Sequence, residues 1–377
     1  MKKFLLVATV VKTHINTFHI PLLKMMKEKG YETHVCAKND YSNPSECYIP
    51  YCDYFHDVSF NRFPVSLDNL KAFFELKQII KQYKFDYIHC NTPIAGVLTR
   101  LSAMKSRKNN TKVIYTAHGF HFFDGAPYLN WILYYPIEKI LSSVTDAIIT
   151  INKEDYKRAK NKFYSKIFYI PGVGLDVEKY NYKGINKIKK RKELGINPDE
   201  FIITSVGEIN KNKNHQLVIK ALSELKIMNI QYLICGEGPL KKNLGSLSKE
   251  LDIENSVKFL GYRDDIEEIL EISDIFVFPS YREGLSLSVM EAMCSGLPIL
   301  ASKIRGNSDL VDENLGGYLF EPNDVDKLIY GINELYTDQN KRKQFGKYNK
   351  IKSKKFDVNK ILKQIEKVYK NLCQESV

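Results

Sequence analysis

Residues 274–300 read DIFVFPSYREGLSLSVMEAMCSGLPIL. The apolar run DIFVFPS predicts a buried strand, and the later run SVMEAMCSG is compatible with a helix. A short glycine-led loop joins them and carries Glu283, which precedes Glu291 by eight positions. A helix N-terminus offers free backbone N–H groups and a positive dipole end, which suits a phosphate. Because carboxylates accept hydrogen bonds from hydroxyl groups, the segment favours a ligand that carries both, such as a nucleotide-sugar.

The alternation of apolar strands and helices continues on both sides of this segment. Further strands are predicted at KFLLVATV, ETHVCA, YIHC, KVIYTA, AIITI, KIFYI, FIITSVG, QYLICG, VKFLG, PILAS and GYLF. Helices are predicted at 18–29, 66–82, 93–106, 127–143, 153–161, 214–226, 239–250, 264–271 and 286–295. Strands that are apolar throughout and alternate with helices form parallel sheets covered on both faces. Since 377 residues exceed one ordinary core, we predict an α/β protein of two doubly wound, Rossmann-like domains.

The boundary between the two domains is expected at residue 180. The segment IPGVGLDVEKY at 170–180 supplies proline and glycine, and the lysine-rich run at 183–192 follows as a linker. The predicted domains are residues 1–180 and 181–355. The last segment, 356–377, has one apolar helical face and one lysine-rich face, so it is either a domain-capping helix or a membrane-surface helix.

The net charge of +12 is unevenly distributed. Residues 193–340 contain 13 Lys/Arg against 25 Asp/Glu, whereas residues 1–192 contain 31 against 16. Such asymmetry suggests a polyanion or an anionic membrane surface, with a merely lysine-rich soluble surface as the alternative. Nucleic acid is not an expected partner, because the charge is split between segments and no nucleic-acid-binding motif is present.

Several patterns indicate features that we do not expect in this protein. MKKFLLVATVV imitates a signal peptide, but a buried strand is expected because no small-residue cleavage site follows. No stretch approaches the ~20 apolar residues of a spanning helix. The seven cysteines form no CxxC pair, so reduced thiols in a cytosol are expected. Asp324-Val325-Asp326 is interpreted as a helix N-cap with an acid in the first turn, and no metal or cofactor is expected.

Ligands of open α/β sheets collect at the carboxyl ends of the strands, where several loops carry polar groups. Lys213 in SVGEINKNKNHQ could hold a diphosphate as a point charge, although this segment taken alone is better explained as a solvated polar loop. Gly236 and Gly238 in ICGEGPL allow close backbone approach to a ligand. Tyr262 and Arg263 in FLGYRDD could line the rim of a base pocket.

Two loops of the first half have the same position. His118 follows strand 112–117, and the loop Lys12–Asn16, with His14, follows the first strand. These residues are candidates for contact with a ligand. A structural role is the alternative for His14 and for His121, because single histidines are often structural.

Together these segments resemble glycosyltransferase family 4, the retaining enzymes of GT-B fold. The resemblance spans nearly the whole chain and rests on the pair Glu283 and Glu291, SVGEINKNK, GEGPL, GYRDDI and TAHGFHFF. The segment from HGFHFF to INKEDYKRAK resembles the branch that makes capsular polysaccharides and exopolysaccharides. The resemblance implies two domains facing across a cleft, a C-terminal helix crossing back to the first domain, and no metal requirement.

The resemblance also implies roles for individual residues. Glu283 would contact hydroxyls of the donor sugar, Lys213 would pair with the diphosphate, and His118 would touch the transferred sugar, so these three are the expected catalytic residues. The expected donor-binding residues are Gly207, Glu208, Lys213, Gly236, Gly238, Tyr262, Arg263, Glu283, Gly284, Leu285, Ser286, Val289 and Glu291, with Glu291 on the ribose. The expected acceptor-side residues are His14, Asn16 and His118.

The chain departs from the family pattern in two loops. Glu208 stands where the family usually has an arginine, so the second cation for the diphosphate would come from Arg282, Lys303 or Arg305, or the helix dipole would suffice. The first loop reads VKTHIN and lacks the family's glycine pair. Geometry at that loop is therefore expected to differ from the family's.

The expected reaction is retaining transfer of a hexose or N-acetylhexosamine from a nucleotide-sugar, by family habit UDP-linked, to a polyprenyl-diphosphate-linked glycan. APYLNWILYYPIEKI is either a core helix or a segment at a bilayer interface. With the basic charge, it predicts a cytoplasmic enzyme that is peripheral on the inner membrane face. The alternatives are a GT-B nucleotide-sugar epimerase, a soluble-acceptor glycosyltransferase, a non-catalytic GT-B scaffold and a basic nucleic-acid-binding protein.

Overall fold

The chain folds into two compact units in a computed structural model that describes residues 1–181 and 184–373. The first unit comprises Met1–Gly174 and the segment that begins at Val358. The second unit comprises Leu175–Asp357. The division therefore falls before the expected boundary at 180. Leu175, Val177 and Tyr180 are buried in a core of the second unit, and this burial keeps their apolar surface from water.

The first unit is built on a seven-stranded parallel sheet with the order β3-β2-β1-β4-β5-β6-β7. Its strands are β1 (Lys3–Val10), β2 (Glu32–Lys38), β3 (Tyr54–Asp57), β4 (Tyr87–Asn91), β5 (Lys112–Ala117), β6 (Ala147–Thr150) and β7 (Lys166–Tyr169). Its helices are α1 (Asn16–Phe18), α2 (Ile20–Glu28), α3 (Leu67–Tyr83), α4 (Pro93–Ser102), α5 (Met104–Arg107), α6 (Tyr128–Ser142), α7 (Lys153–Lys160) and the terminal α16 (Val358–Cys373). The order proceeds outward in both directions from β1 and β4, as in a doubly wound sheet.

The second unit repeats this design with a six-stranded sheet in the order β10-β9-β8-β11-β12-β13. Its strands are β8 (Phe201–Val206), β9 (Ile230–Cys235), β10 (Val257–Gly261), β11 (Ile275–Phe278), β12 (Ile299–Ser302) and β13 (Gly317–Phe320). Its helices are α8 (Lys187–Glu193), α9 (His215–Leu225), α10 (Lys241–Glu250), α11 (Ile266–Ile272), α12 (Leu287–Cys294), α13 (Asn307–Leu310), α14 (Val325–Thr337) and α15 (Gln339–Ser353). The prediction of two Rossmann-like sheets is confirmed.

The terminal helix α16 closes the core of the first unit. Its apolar face is buried there, including Ile361 and Tyr369. The Tyr369 hydroxyl is 2.6 Å from Nδ1 of His89 on β4, and the Tyr369 ring packs edge-on against Phe4 of β1. The capping interpretation is therefore confirmed and the membrane-surface interpretation of this helix is wrong, because its apolar face is already covered. Residues 374–377 lie outside the described residues.

The lysine-rich run was expected to be a linker, but the structure places most of it in α8. Lys190 is buried, and its ammonium group contacts the carboxylates of Asp265 and, at 2.8 Å, Glu268. These partners lie far along the chain and pin the helix to α11. Residue 183 itself is not among the described residues.

Asp324 begins α14 as the sequence predicts. Its carboxylate accepts a hydrogen bond from the backbone N–H of Lys327 at 2.9 Å, which satisfies one of the free donors of the first turn. This side chain therefore has a local role in the helix. In the described part of the chain, no helix combines the length and apolar character that crossing a bilayer requires.

Candidate active site

The site of the second unit forms where β8 and β11 lie side by side. These two strands begin the two halves of the sheet, so the loops that follow them leave in opposite directions and open a crevice at the carboxyl edge. Lys213 belongs to the loop after β8, and Glu283 to the loop after β11. The topology thus brings together two residues separated by 70 positions.

Lys213 and Glu283 form an ion pair, with Nζ 2.7 Å from Oε1. Their side chains are only 19% and 15% exposed, so solvent screens the pair less than a surface bridge. The Lys213 ammonium also lies 4.5 Å from the ring centroid of Phe278. Asn210 fixes the loop, because its side-chain oxygen accepts the Lys213 backbone N–H at 3.1 Å. The ammonium is therefore held at the crevice by Glu283 and Phe278, and its backbone is held by Asn210.

The loop that carries Glu283 leads directly into α12. Ser286 caps this helix, since its hydroxyl accepts from the backbone N–H of Val289 at 3.4 Å. Gly306 lies against the loop: a Cβ there would stand 2.4 Å from the carbonyl oxygen of Gly284. Leu285 packs partly buried against the neighbouring core. The Glu283 side chain and the backbone N–H groups at the start of α12 thus belong to one short segment of the chain.

Three residues were expected to offer a second cation. Arg305 Nε donates to the backbone carbonyl of Glu283 at 3.1 Å, which places its guanidinium at the same loop. Arg282 and Lys303 are exposed. Glu208 is also exposed, and its carboxylate accepts from the Asn210 side chain at 2.9 Å. The Arg305 side chain thus holds the Glu283 loop through a hydrogen bond to its backbone.

The glycines of these loops allow backbone segments to pack on each other. A Cβ at Gly236 would lie 2.0 Å from the carbonyl oxygen of Gly207, and one at Gly238 would lie 2.3 Å from that of Ile209. The loop after β9 therefore presses on the loop after β8. The structure thus gives these glycines a packing role, and their expected contact with a ligand stays a prediction.

Glu291 lies on α12 and is held by a residue that the sequence analysis did not single out. The Tyr180 hydroxyl donates to Oε1 of Glu291 at 2.7 Å. Burial raises the pKa of the Glu291 carboxyl, whereas this hydrogen bond and the charge of Lys179 oppose the rise. One carboxylate oxygen is thus fixed by Tyr180.

Tyr262 and Arg263 have different surroundings. The Tyr262 side chain is exposed. The Arg263 guanidinium is engaged by Asp265, with Nε 2.7 Å from Oδ1, and lies 3.4 Å from Glu193. Hydrogen bonding from Arg263 holds the pKa of Asp265 at about 2 despite partial burial. Arg263 therefore belongs to the ion-pair group that anchors α8.

In the first unit, His14, His19 and His118 form a cluster at the equivalent edge of the sheet. The Nε2 atoms of His14 and His19 are 3.2 Å apart, and the His14 and His118 rings meet edge-on with centroids 5.4 Å apart. His118 Nε2 is 3.2 Å from Oδ1 of Asn91, at the end of β4. A carbonyl oxygen only accepts, so this contact assigns the proton to Nε2 and leaves Nδ1 as an acceptor.

The imidazoles of this cluster are neutral at physiological pH. Burial lowers the pKa of His118 to about 4. Burial, then the neighbouring His118 and Arg62, lowers the pKa of His14 to about 3. The pKa of His19 is also lowered by burial. His118 can therefore accept a hydrogen bond from a sugar hydroxyl at Nδ1 without carrying charge.

The same cluster is the one group of the described residues whose side chains have the spacing of metal ligands. One ring nitrogen from each of the three histidines lies within 4.8 Å of the others. Neutral imidazoles suit Zn²⁺ by type, and the 3.2 Å between the Nε2 atoms of His14 and His19 fits a hydrogen bond between the two rings as well as a shared metal ion. Asn16 has another role: its amide donates to the hydroxyl of Tyr41 and to the carbonyl of Tyr48.

Sequence reasoning missed His19, Asn91 and Tyr180. His19 enters the cluster because Val11–Ile15 forms a π-helical turn after β1, which the sequence pattern did not indicate. Asn91 could have been found from topology, since the loops after the two central strands of a doubly wound sheet meet. No sequence pattern links Tyr180 to Glu291, because the two residues lie 111 positions apart along the chain.

Two family descriptions cover most of the chain. Glycosyl transferases group 1 matches residues 186–352, and glycosyl transferase 4-like matches residues 3–152. EpsD of Bacillus subtilis, which is named as a glycosyltransferase, is 34% identical over 374 residues, covering 98% of this chain and 97% of the relative. The chain belongs to the group 1 glycosyltransferases. Its two sheets are accordingly those of a glycosyltransferase.

Two further proteins resemble this glycosyltransferase. The UDP-Gal:alpha-D-GlcNAc-diphosphoundecaprenol alpha-1,3-galactosyltransferase of Escherichia coli is 30% identical over 282 residues, which is 72% of each chain. The crystal structure of HepE from Anabaena in complex with UDP has a TM-score of 0.80 at 21% identity and covers 98% of this glycosyltransferase and 100% of that chain. This likeness shows the GT-B fold.

Proposed function

We propose that this glycosyltransferase moves a hexose or N-acetylhexosamine, with retention of configuration, from a UDP-sugar to a polyprenyl-diphosphate-linked glycan in exopolysaccharide or capsule synthesis. The ion pair of Lys213 and Glu283 at the crevice is the observation that carries the proposal. It presents a cation for the diphosphate and a carboxylate for sugar hydroxyls at one place. The galactosyltransferase and HepE, by their names, act on a diphosphoundecaprenol-linked sugar and bind UDP.

Charge development explains the choice of residues. When the bond between the sugar C1 and the diphosphate oxygen breaks, negative charge grows on the diphosphate and positive charge on the ring. Lys213 and the N-terminal amides of α12 stabilise the first charge as it develops. Glu283 accepts hydrogen bonds from sugar hydroxyls, and Glu291 accepts one from the ribose through its oxygen that Tyr180 leaves available.

The acceptor oxygen then bonds to C1 on the face that the diphosphate leaves. The departing phosphate oxygen takes the acceptor's proton, so atoms and charge balance and no protein nucleophile is required. His118 accepts a hydrogen bond at Nδ1 from a hydroxyl of the transferred sugar, since its Nε2–H is donated to Asn91. This reaction needs no divalent metal, and EDTA should leave turnover unchanged; loss of turnover restored by Mg²⁺ would contradict metal independence.

The first unit supplies support for peripheral attachment to an anionic membrane. Helix α6 turns Trp131, Tyr134 and Tyr135 towards the core, as a core helix would. Its outer face, however, exposes a row of large apolar side chains, Tyr128, Leu129, Ile132, Leu133, Ile137 and Ile140. Exposed apolar rows of this size mark interaction surfaces. We place the enzyme in the cytoplasm, peripheral on the inner membrane face.

Vesicle flotation tests the membrane part. At low salt, the enzyme should float with vesicles of anionic lipid and remain behind with neutral vesicles. Replacing Ile132 and Leu133 by serine should abolish flotation. The buried residues of α6 are left unchanged, because serine at those positions would harm folding. Protein that stays at the bottom with anionic vesicles would contradict membrane attachment while leaving the transfer proposal intact.

Product analysis separates the transferase from its rivals. A thermal-shift panel of UDP, GDP and ADP with several sugars identifies the donor, and NMR of the product reports the anomeric configuration. An epimerase would change the sugar without an acceptor, and a soluble-acceptor enzyme would not need the lipid. Absence of binding by every nucleotide would favour a non-catalytic scaffold, and a shift of DNA or RNA at moderate salt would favour the nucleic-acid alternative.

A further inference from the structure

The first unit contains an apolar cavity of about 170 Å³ between α4 and α6. Its walls include Ile94 and Val97 of α4, Phe120 of the loop after β5, and Tyr134 and Ile137 of α6. Apolar cavities of about 150 Å³ bind small hydrocarbons because water gains few partners in them. The cavity is thus of a size to receive part of an apolar chain.

The one carboxylate in the cavity wall is already neutralised. Glu138 Oε2 lies 2.8 Å from an Arg100 guanidinium nitrogen, and both side chains are buried. The Arg100 guanidinium also stacks on the ring of Tyr115, 4.1 Å from its centroid. The wall therefore favours an uncharged occupant over an ionised one.

The cavity adjoins the apolar row on α6 and the histidine cluster. Ile137 lines the cavity and is 45% exposed, so it belongs both to the wall and to the outer face. At the other side, Gly119 lines the cavity and directly follows His118. The lining of the cavity thus extends from the outer face of α6 to the residue that follows His118.

A positive charge stands beside the same cavity. Pro64 is a wall residue, and two positions before it the Arg62 guanidinium donates to the Thr13 hydroxyl at 3.2 Å, next to His14. Arg62 is exposed. Arginine presents a planar set of donors that matches a phosphate. Apolar cavity, guanidinium and imidazoles therefore adjoin one another in the first unit.

We propose that this cavity binds the first isoprene units of the acceptor's polyprenyl chain, with Arg62 on its diphosphate and the acceptor sugar at the histidine cluster. This assignment rests on the proposed function, because it names the site at which the lipid-linked acceptor is held. Beyond the cavity, the polyprenyl chain lies along the part of the apolar row that runs from Ile137 towards Leu129. The arrangement makes the isoprenoid, rather than the glycan alone, part of what the enzyme recognises.

The single tryptophan of the chain provides a direct probe. The Trp131 ring lies 5.7 Å from that of Phe122, another wall residue of the cavity. Farnesyl diphosphate, added below its micelle-forming concentration, should change the tryptophan emission saturably, and inorganic diphosphate should not. The measurement needs neither donor nor turnover, so failure of nucleotide binding, which would overturn the proposed function, is seen separately.

Two pairs of variants place the ligand. Val97→Phe fills the cavity and should weaken farnesyl diphosphate at least ten-fold, whereas Leu101→Phe, an exposed position on the same helix, should not. Ile137→Asp at the mouth should weaken binding similarly, and Ile140→Asp, one turn further on the exposed face, should not. Arg62→Ala should weaken farnesyl diphosphate but leave farnesol unaffected.

Three outcomes would overturn the assignment. Emission that does not change with farnesyl diphosphate excludes the isoprenoid from this cavity. Equal affinities in each matched pair place it elsewhere on the surface. A saturable change caused by free N-acetylglucosamine, which competes with farnesyl diphosphate, would make the cavity a sugar site instead. The exposed Ile137 pair keeps the test valid if Val97→Phe fails to fold.

Discussion

The Lys213 ammonium lies 2.7 Å from the Glu283 carboxylate, across the junction of β8 and β11. Under the proposed function, a donor diphosphate would share Lys213 with this carboxylate. The same contact would position Glu283 for sugar hydroxyls while it holds the cation in the crevice. The proposal therefore couples binding of the nucleotide to recognition of the sugar through one ion pair.

Replacing Glu283 by glutamine should separate these two roles. The amide keeps the shape of the side chain but holds Lys213 less strongly, so UDP should bind as well as before or more tightly. The intact UDP-sugar should bind at least about ten-fold more weakly, since hydrogen bonds to a charged group contribute about 1.5–3 kcal/mol. Calorimetry with both ligands checks this, and an equal loss for both would argue against sugar contact by Glu283.

Gly306 should be required for the shape of the Glu283 loop. Its φ is +83°, and a Cβ would meet the Gly284 carbonyl oxygen at 2.4 Å, so Gly306→Ala should displace the loop and weaken donor binding. Gly245→Ala is the matched control, because no atom lies within 4 Å of its Cβ and it stands inside α10. The control should raise stability by about 0.5–1 kcal/mol. Unchanged donor affinity in Gly306→Ala would show that the loop tolerates the clash.

The buried pair of Arg100 and Glu138 should matter to stability in an unsymmetrical way. Glu138→Ala leaves the guanidinium buried without its partner, which we expect to cost about 3–5 kcal/mol in the free energy of unfolding. Replacing both residues, Arg100→Met with Glu138→Leu, should cost less because no charge stays buried. Denaturant titration of the three proteins decides this, and a double variant less stable than Glu138→Ala would refute the reasoning.

Stability should fall as the pH falls below about 6.5. In the folded protein the pKa values of His14, His89 and His118 are lowered from 6.5 to about 3, 3 and 4, chiefly by burial. The stabilisation is therefore complete above the unfolded value and is lost as the pH drops towards the folded values. Each histidine contributes a slope of up to about 1.4 kcal/mol per pH unit. Melting temperatures from pH 7.5 to 5 should decrease, and His118→Asn should flatten the decrease; a constant value in the wild type would contradict neutral histidines.

The strands were predictable where apolar runs are unbroken. All the strands predicted from such runs are present, and the ends of α12 and β11 fall within a few residues of expectation. β3 was missed because Tyr54–Asp57 is a short edge strand with two partly exposed and two exposed side chains, so it lacks an apolar signature. Edge strands are less buried than central strands, so their sequences need fewer apolar residues.

The location of Lys213, Glu283 and His118 was predictable, because topology alone assigns their loops to the carboxyl edges of the sheets. The neighbours of these residues were not, since they depend on contacts distant in sequence. Lys190 looked like part of a charged linker, yet its partners Asp265 and Glu268 make it an anchor. Periodicity reports which face of an element is buried, and it carries no information about which distant carboxylate meets a lysine.

Titration calorimetry of the nucleotide into Lys213→Ala and Lys211→Ala tests the central claim most directly. Both lysines lie in the same short turn, and Lys211 is exposed whereas Lys213 faces Glu283. UDP, or whichever of UDP, GDP and ADP binds the wild type, should lose at least about ten-fold in affinity with Lys213→Ala, as expected for a charge-assisted contact, and keep its affinity with Lys211→Ala. Wild-type affinity in Lys213→Ala would contradict the placement of the donor diphosphate at this crevice.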